Sequence, residues 1–190
     1  TAARSLAALT RQARQAFLLI SVEGFSSLEA AQVLEVSELR SQELLKEASD
    51  EIGKQIATDV LIIEDEPLIA MDLQKVLQDL GHRVISIART RKDALRASAV
   101  DRPGLVLADI SLADGSSGLD AVNDILQGFD VPVIFITAYP EKLMTGQRPE
   151  PTFLITKPFR DDAVKAIVSQ VLFFDQYARR RDTERSAPAS

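Results

Sequence analysis

The sequence predicts an α/β fold: a five-stranded parallel, doubly wound sheet preceded by a small all-α segment. Three observations point there. Short continuous apolar runs alternate with helix-period stretches from Thr58 onward. The first of them, in DVLIIED, is a short continuous apolar run, as a buried parallel strand should be. Residues 1 to 56 contain helical spacing only and few turn signals.

In the first segment, Leu6, Leu9, Ala13, Phe17 and Ile20 recur at helical spacing, and Gly24 ends the run. Ser26 or Ser27 suits the N-cap of a short helix through Leu34, and Ser37 that of a third helix with Leu39, Leu44, Leu45, Ala48 and Ile52 as its apolar positions. Some 56 residues make a small core, so docking on a neighbour is expected.

DVLIIED is the first strand. Pro67 opens the next helix, Ile69, Leu73, Val76, Leu77 and Leu80 form its apolar face, and Gly81 closes it. RVISIA is strand two, followed by a helix from Lys92 to Val100. LVLADI is strand three, with a helix over Leu119 to Leu126. VPVIFIT is strand four, and a short helix is expected after Pro140, limited by Gly146, Pro149 and Pro151. TFLIT is strand five, and the last helix spans Asp161 to Tyr177. Alternating strands and helices imply helices on both faces of a parallel sheet, and right-handed crossovers favour the order 2-1-3-4-5. The reading divides the chain into a helical segment (1–56), a sheet domain (57–178) and a disordered tail (179–190).

Composition sets outer limits. The chain has 190 residues, 46% hydrophobic and 26% charged, with a net charge of -6, which disfavours a broad nucleic-acid surface. It has no cysteine, which excludes disulfides and thiolate-bound zinc. No apolar run approaches the ~18 residues of a membrane span, no signal peptide is visible, and a cytoplasmic location is expected. The chain begins with Thr1 inside a helical pattern, which reads as a truncated or processed start.

In a sheet of this kind, ligands bind beyond the carboxyl ends of the strands. There the sequence places Glu64 and Asp65 after strand one, Asp109 after strand three, Thr137 after strand four and Lys157 after strand five. Three carboxylates in one crevice need compensation, and a divalent cation supplies it. Hard oxygen ligands without His or Cys favour Mg²⁺ over zinc. Lys157 adds a fixed positive charge and Thr137 a hydroxyl, which together suit a phosphoryl group on one carboxylate. Each residue has a plainer alternative. Glu64 and Asp65 could begin a helix, as Glu66 is taken to do; Thr137 could cap one; Lys157 could be solvated. His82, the single histidine, is expected at the surface with no catalytic role.

This ordered set resembles the receiver domain of two-component response regulators, over residues 58 to about 178. The resemblance implies that Asp109 accepts phosphate from a histidine kinase or phosphotransferase, with Thr137 and Lys157 assisting. It implies that Asp65 and Asp109 ligate Mg²⁺ directly, Glu64 through water, and a backbone carbonyl near Ser111 as well. Pro158 allows the cis peptide that aims the lysine in that family. Two features depart from the pattern. DISLADGSSG lacks the frequent Met-Pro after the acceptor, and Leu154 stands where an aromatic is common. An altered aromatic switch is expected, with Phe153 and Tyr139 nearby.

The segment LTRQARQAFLLISVEGFSSLEAAQVLEVSELRSQELLKEA resembles the promoter-reading region of sigma factors. Its third helix, however, carries Glu38, Glu43, Glu47, Asp50 and Glu51 against Arg40, Lys46 and Lys54, a surface that phosphates repel. Sigma-like helices preceding a receiver resemble the PhyR-type general stress response regulators. That resemblance implies an intramolecular contact between receiver and sigma-like unit, relieved by phosphorylation so that a NepR-type anti-sigma factor is captured. It also implies an N-terminal half of the sigma-like domain that this sequence does not contain, so weak anti-sigma binding is expected. The competing readings are a DNA-binding regulator, which the acidic helix disfavours, and an aspartate-based phosphohydrolase, in which Ser111 stands where a second Asp is usual.

Overall fold

The computed structural model describes residues 6–112, 115–140 and 153–186. The chain divides into two compact units, Thr1–Ile56 with Val168–Ser190, and Ala57–Ile167.

In the helical unit, α1 spans Arg11–Phe17, and its N-cap Thr10 accepts from the Ala13 amide at 3.2 Å; the helix widens into a π turn over Leu18–Val22. Gly24 then reverses the chain with φ +77°. A capping box opens α2, Ser27–Leu34. Ser26 caps the Glu29 amide while Glu29 Oε2 accepts from the Ser26 amide at 2.8 Å. Ser37 caps α3, Glu38–Gln55, which buries Leu44, Ala48 and Ile52.

The final helix, α7, runs Asp161–Ser186, and from Val168 onward it packs with these helices. Phe173 meets Phe17 edge-on with ring centroids 5.4 Å apart. Ser169 Oγ donates to the Ser49 carbonyl, and Gln170 Nε2 to the Ser21 carbonyl, each at 2.8 Å.

The sheet unit comprises β1 (Asp59–Ile63), α4 (Pro67–Asp79), β2 (Arg83–Ala88), α5 (Arg91–Val100), β3 (Leu105–Asp109), α6 (Gly118–Gly128), β4 (Val133–Thr137) and β5 (Leu154–Thr156). The strands are all parallel in the order β2-β1-β3-β4-β5, as the crossover rule predicts. All of β3 is buried, which explains its unbroken apolar run. Residues Leu61, Ile63, Val106 and Ala108 join Ala121, Val122 and Ile125 of α6 in one apolar layer. No helix among the described residues is long and apolar enough to cross a membrane.

Three expectations differ from the structure. His82 is buried, only 4% exposed, because its amide bonds the Leu77 carbonyl at the end of α4 and its Nδ1 accepts from the Thr58 amide at 3.3 Å. The last helix continues to Ser186, through residues expected to be disordered, since the stretch after Tyr177 is rich in Arg and has no Gly or Pro before Pro188. The second unit ends at Ile167 rather than near residue 178, and beyond it Phe173 of α7 meets Phe17 in the helical unit. The helix expected after Pro140 lies outside the described residues.

Candidate functional site

Register brings the strand ends to one edge. Ile63 pairs with Ala108, Asp109 with Ile136, and Thr137 with Thr156. The residues that follow β1 and β5, and those that close β3 and β4, therefore emerge together at the carboxyl end of the sheet.

Glu64 extends the β1 ladder, its amide donating to the Ala88 carbonyl at 2.9 Å. Its carboxylate is buried, with Oε1 accepting from the Glu66 amide at 3.1 Å. Asp65 is half-buried, and its carbonyl accepts from Arg89 Nη2 at 3.3 Å. Asp109 is 8% exposed, and its Oδ1 accepts from the Ser111 amide at 3.2 Å. Carboxylate oxygens of Glu64, Asp65 and Asp109 lie within 4.8 Å of one another.

Lys157 reaches this cluster from the end of β5. Its amide donates to the Thr137 carbonyl at 2.8 Å, and the Lys157–Pro158 peptide is cis. Its Nζ lies 2.7 Å from both Asp109 Oδ2 and Glu64 Oε2, and 3.6 Å from Glu66 Oε1. Burial works against the ammonium, but the pairing with the Asp109 and Glu64 carboxylates outweighs it and holds the Lys157 pKa above the usual lysine value. Burial raises the pKa of Glu64, and Lys157 opposes that rise without cancelling it.

The Glu64 Oε2 contact is an ion pair off the hydrogen-bonding direction, so a buried carboxylate oxygen stands without a directed partner among the described residues. That oxygen, two neighbouring carboxylates and the absence of soft ligands fit a hard divalent cation.

Thr137 is buried, and its Oγ1 accepts from the Tyr139 amide at 3.0 Å, the turn role that its plainer reading anticipates. That bond uses a lone pair and leaves the hydroxyl hydrogen to donate. Ser111 stands beside Asp109 and forms an isolated antiparallel bridge with Ser117.

Around this bridge, backbone and side-chain bonds tie the start of α6 to its neighbours. The Gly118 amide donates to the Ile110 carbonyl at 3.0 Å, and the Arg91 amide donates to Ser116 Oγ at 3.3 Å. Arg91 Nε also donates to Asp124 Oδ2 of α6 at 2.7 Å.

Sequence reasoning missed two residues here. Glu66 makes no side-chain cap bond at the start of α4 and turns toward Lys157. Gly118 admits the backbone of Asp109. A third consecutive acid and a glycine at a helix start were the visible signals.

Residues 6–55 match the family model described as the sigma-like domain of the response regulator PhyR, and residues 60–169 match the response regulator receiver domain. The phyllosphere-induced regulator PhyR of Methylorubrum extorquens is 58% identical over 178 residues, 93% of this chain and 67% of that protein. The crystal structure of PhyR from Brucella abortus is 55% identical, with a TM-score of 0.76 over 93% of this chain and 72% of that one. A co-crystal structure of the Bartonella quintana anti-anti-sigma factor PhyR with the anti-sigma factor NepR is 59% identical, with a TM-score of 0.50 over 90% of this chain and 71% of that one.

Proposed function

The chain belongs to the PhyR family of response regulators, and from that premise we propose that it is a phosphorylation-controlled anti-anti-sigma switch with Asp109 as the phosphate acceptor. The observation that carries this reading is the 2.7 Å pairing of Asp109 Oδ2 with Lys157 Nζ inside a trio of carboxylates.

The donor is a phosphohistidine of a histidine kinase or phosphotransferase. An Asp109 oxygen forms the new bond to phosphorus as the donor's P–N bond breaks, and the imidazole nitrogen keeps the electron pair. Asp65 and Asp109, with Glu64 behind them and the backbone near Ser111, are the residues that would hold Mg²⁺. A bound Mg²⁺ supplies Lewis-acid neutralisation of charge on the phosphoryl oxygens. Lys157, fixed by its backbone bond to Thr137, provides a cation that stays protonated throughout the physiological range. The Thr137 hydroxyl donates to a phosphoryl oxygen.

The output is the helical unit. Its core includes α7 from Val168, so the receiver's last helix and the sigma-like helices share one packing arrangement. Phosphorylation shifts this arrangement toward an open state that captures a NepR-type anti-sigma factor, the partner present in the Bartonella co-crystal. DNA binding by α3 is disfavoured, since Arg40 is engaged by Glu43 and Glu47 at 3.0 and 2.9 Å on an acidic helix. The setting is the cytoplasm.

The test is capture of a NepR-type protein by the chain with and without acetyl phosphate and magnesium, with Asp109→Ala as control. Capture should rise with acetyl phosphate in the parent protein alone. Equal capture in all three samples defeats the switch.

A further inference from the structure

Glu66 sits at the N-cap of α4 but does not act as a cap. Its amide donates to Glu64 Oε1, which turns the residue toward the acidic cluster, and its own Oε1 lies 3.6 Å from Lys157 Nζ. The Glu66 side chain is 62% exposed, while that of Lys157 is 9% exposed. One ammonium therefore faces three carboxylates: two short, buried partners and one long, solvent-side partner. With a divalent cation bound, Lys157 and that ion would balance the cluster of Glu64, Asp65 and Asp109, which leaves Glu66 as a surplus negative charge at the rim. The nearby cation Arg89 donates to the Asp65 carbonyl.

We propose that Glu66 is a rate-setting rim residue, which slows phosphorylation of Asp109 by repelling the anionic donor and competing with it for Lys157. This rests on Asp109 being the acceptor. In the step affected, an Asp109 oxygen bonds to phosphorus while the P–O bond to acetate breaks, and acetate leaves with the electron pair. The surplus charge acts before bond formation, on the local concentration and seating of the donor. A dianionic donor feels it more than a donor with a single net negative charge.

The experiment compares the parent chain with Glu66→Gln, Glu66→Asp and Asp109→Ala at saturating magnesium, the magnesium affinity of each being measured by calorimetry. Acetyl phosphate serves as the dianionic donor and phosphoramidate as the donor of lower net charge. Glu66→Gln should raise the second-order rate with acetyl phosphate by about three- to tenfold at low salt, and with phosphoramidate by roughly the square root of that factor. The gain should shrink toward unity near 1 M potassium chloride, where the Debye length is about 3 Å. Glu66→Asp should stay close to the parent. Unchanged or reduced rates in Glu66→Gln, or a gain indifferent to salt and donor charge, overturn the proposal while leaving the acceptor assignment intact. A parent chain that takes no label, or an Asp109→Ala chain that still does, overturns both.

Discussion

A Cβ placed on Gly118 would stand 1.7 Å from the carbonyl oxygen of Asp109 and 2.9 Å from its carbonyl carbon. The first turn of α6 thus lies directly against the backbone of Asp109. Any side chain at this position must push Asp109, Gly118 or both aside.

Gly118→Ala separates this contact from helix stability. Alanine in a helix is favoured over glycine by about 1 kcal/mol, so propensity alone predicts no loss of fold. The clash is with backbone and cannot be relieved by a rotamer change. We expect phosphorylation by acetyl phosphate to fall on the order of tenfold to a hundredfold, the scale of a misplacement of about 1 Å at a reacting group. Magnesium affinity should fall with it. Phosphate-affinity gels and calorimetry measure the two, and parent-like values in both would show that the loop yields without moving Asp109.

The sheet was legible from sequence because β1, β3 and β4 are buried and so appear as unbroken apolar runs, such as Leu105 to Ala108. The residues of the acidic cluster were legible because parallel topology sends every strand's carboxyl end to the same edge. What escaped depends on contacts that composition does not encode. Gly118 acts through the absence of a side chain against another residue's backbone. His82 is polar and counts as surface in any apolar pattern, yet it is drawn inside by the Thr58 amide. Glu66 stands where acids commonly favour a helix start, yet its amide bond to Glu64 and the position of Lys157 turn it toward the cluster. The packing of α7 with the helical unit depends on Phe173 finding Phe17, more than 150 residues earlier in the chain.

Burial pushes the His82 pKa down to about 4 from its ordinary 6.5. Because the folded value lies below the unfolded one, the unfolded chain takes up this proton first as pH falls. The stability contribution is complete above about pH 6.5 and is lost between there and about pH 4, amounting to about 3 kcal/mol for a shift of this size. Protonation at Nδ1 would also set two donors, His82 and the Thr58 amide, against each other across 3.3 Å. His82→Asn retains an acceptor and does not titrate. Urea midpoints from pH 7 to 4.5 should fall more steeply for the parent chain than for His82→Asn. Parallel curves would mean that His82 gains its proton without consequence for folding.

Lys157→Met tests the charge balance of the acidic cluster in the absence of metal. Burial already raises the Glu64 pKa, and Lys157 is what opposes it. Without the ammonium, the folded-state pKa of Glu64 climbs further above its unfolded value. A carboxylate shifted in that direction costs stability at pH values above its unfolded pKa, and the cost disappears as pH falls and the group takes up a proton in the folded state. Removing one member of a buried ion pair typically costs about 3–5 kcal/mol, and Lys157 is only 9% exposed against Glu64 at 1%. The variant should therefore be less stable than the parent by roughly that amount at pH 8, and the gap should narrow as pH is lowered toward 5. The His82 contribution is common to both proteins and cancels in the difference. Urea unfolding in chelator at pH 8 and pH 5 measures the gap. A gap that is constant or wider at pH 5 would mean that Lys157 stabilises the fold through packing of its stem rather than by neutralising Glu64 and Asp109.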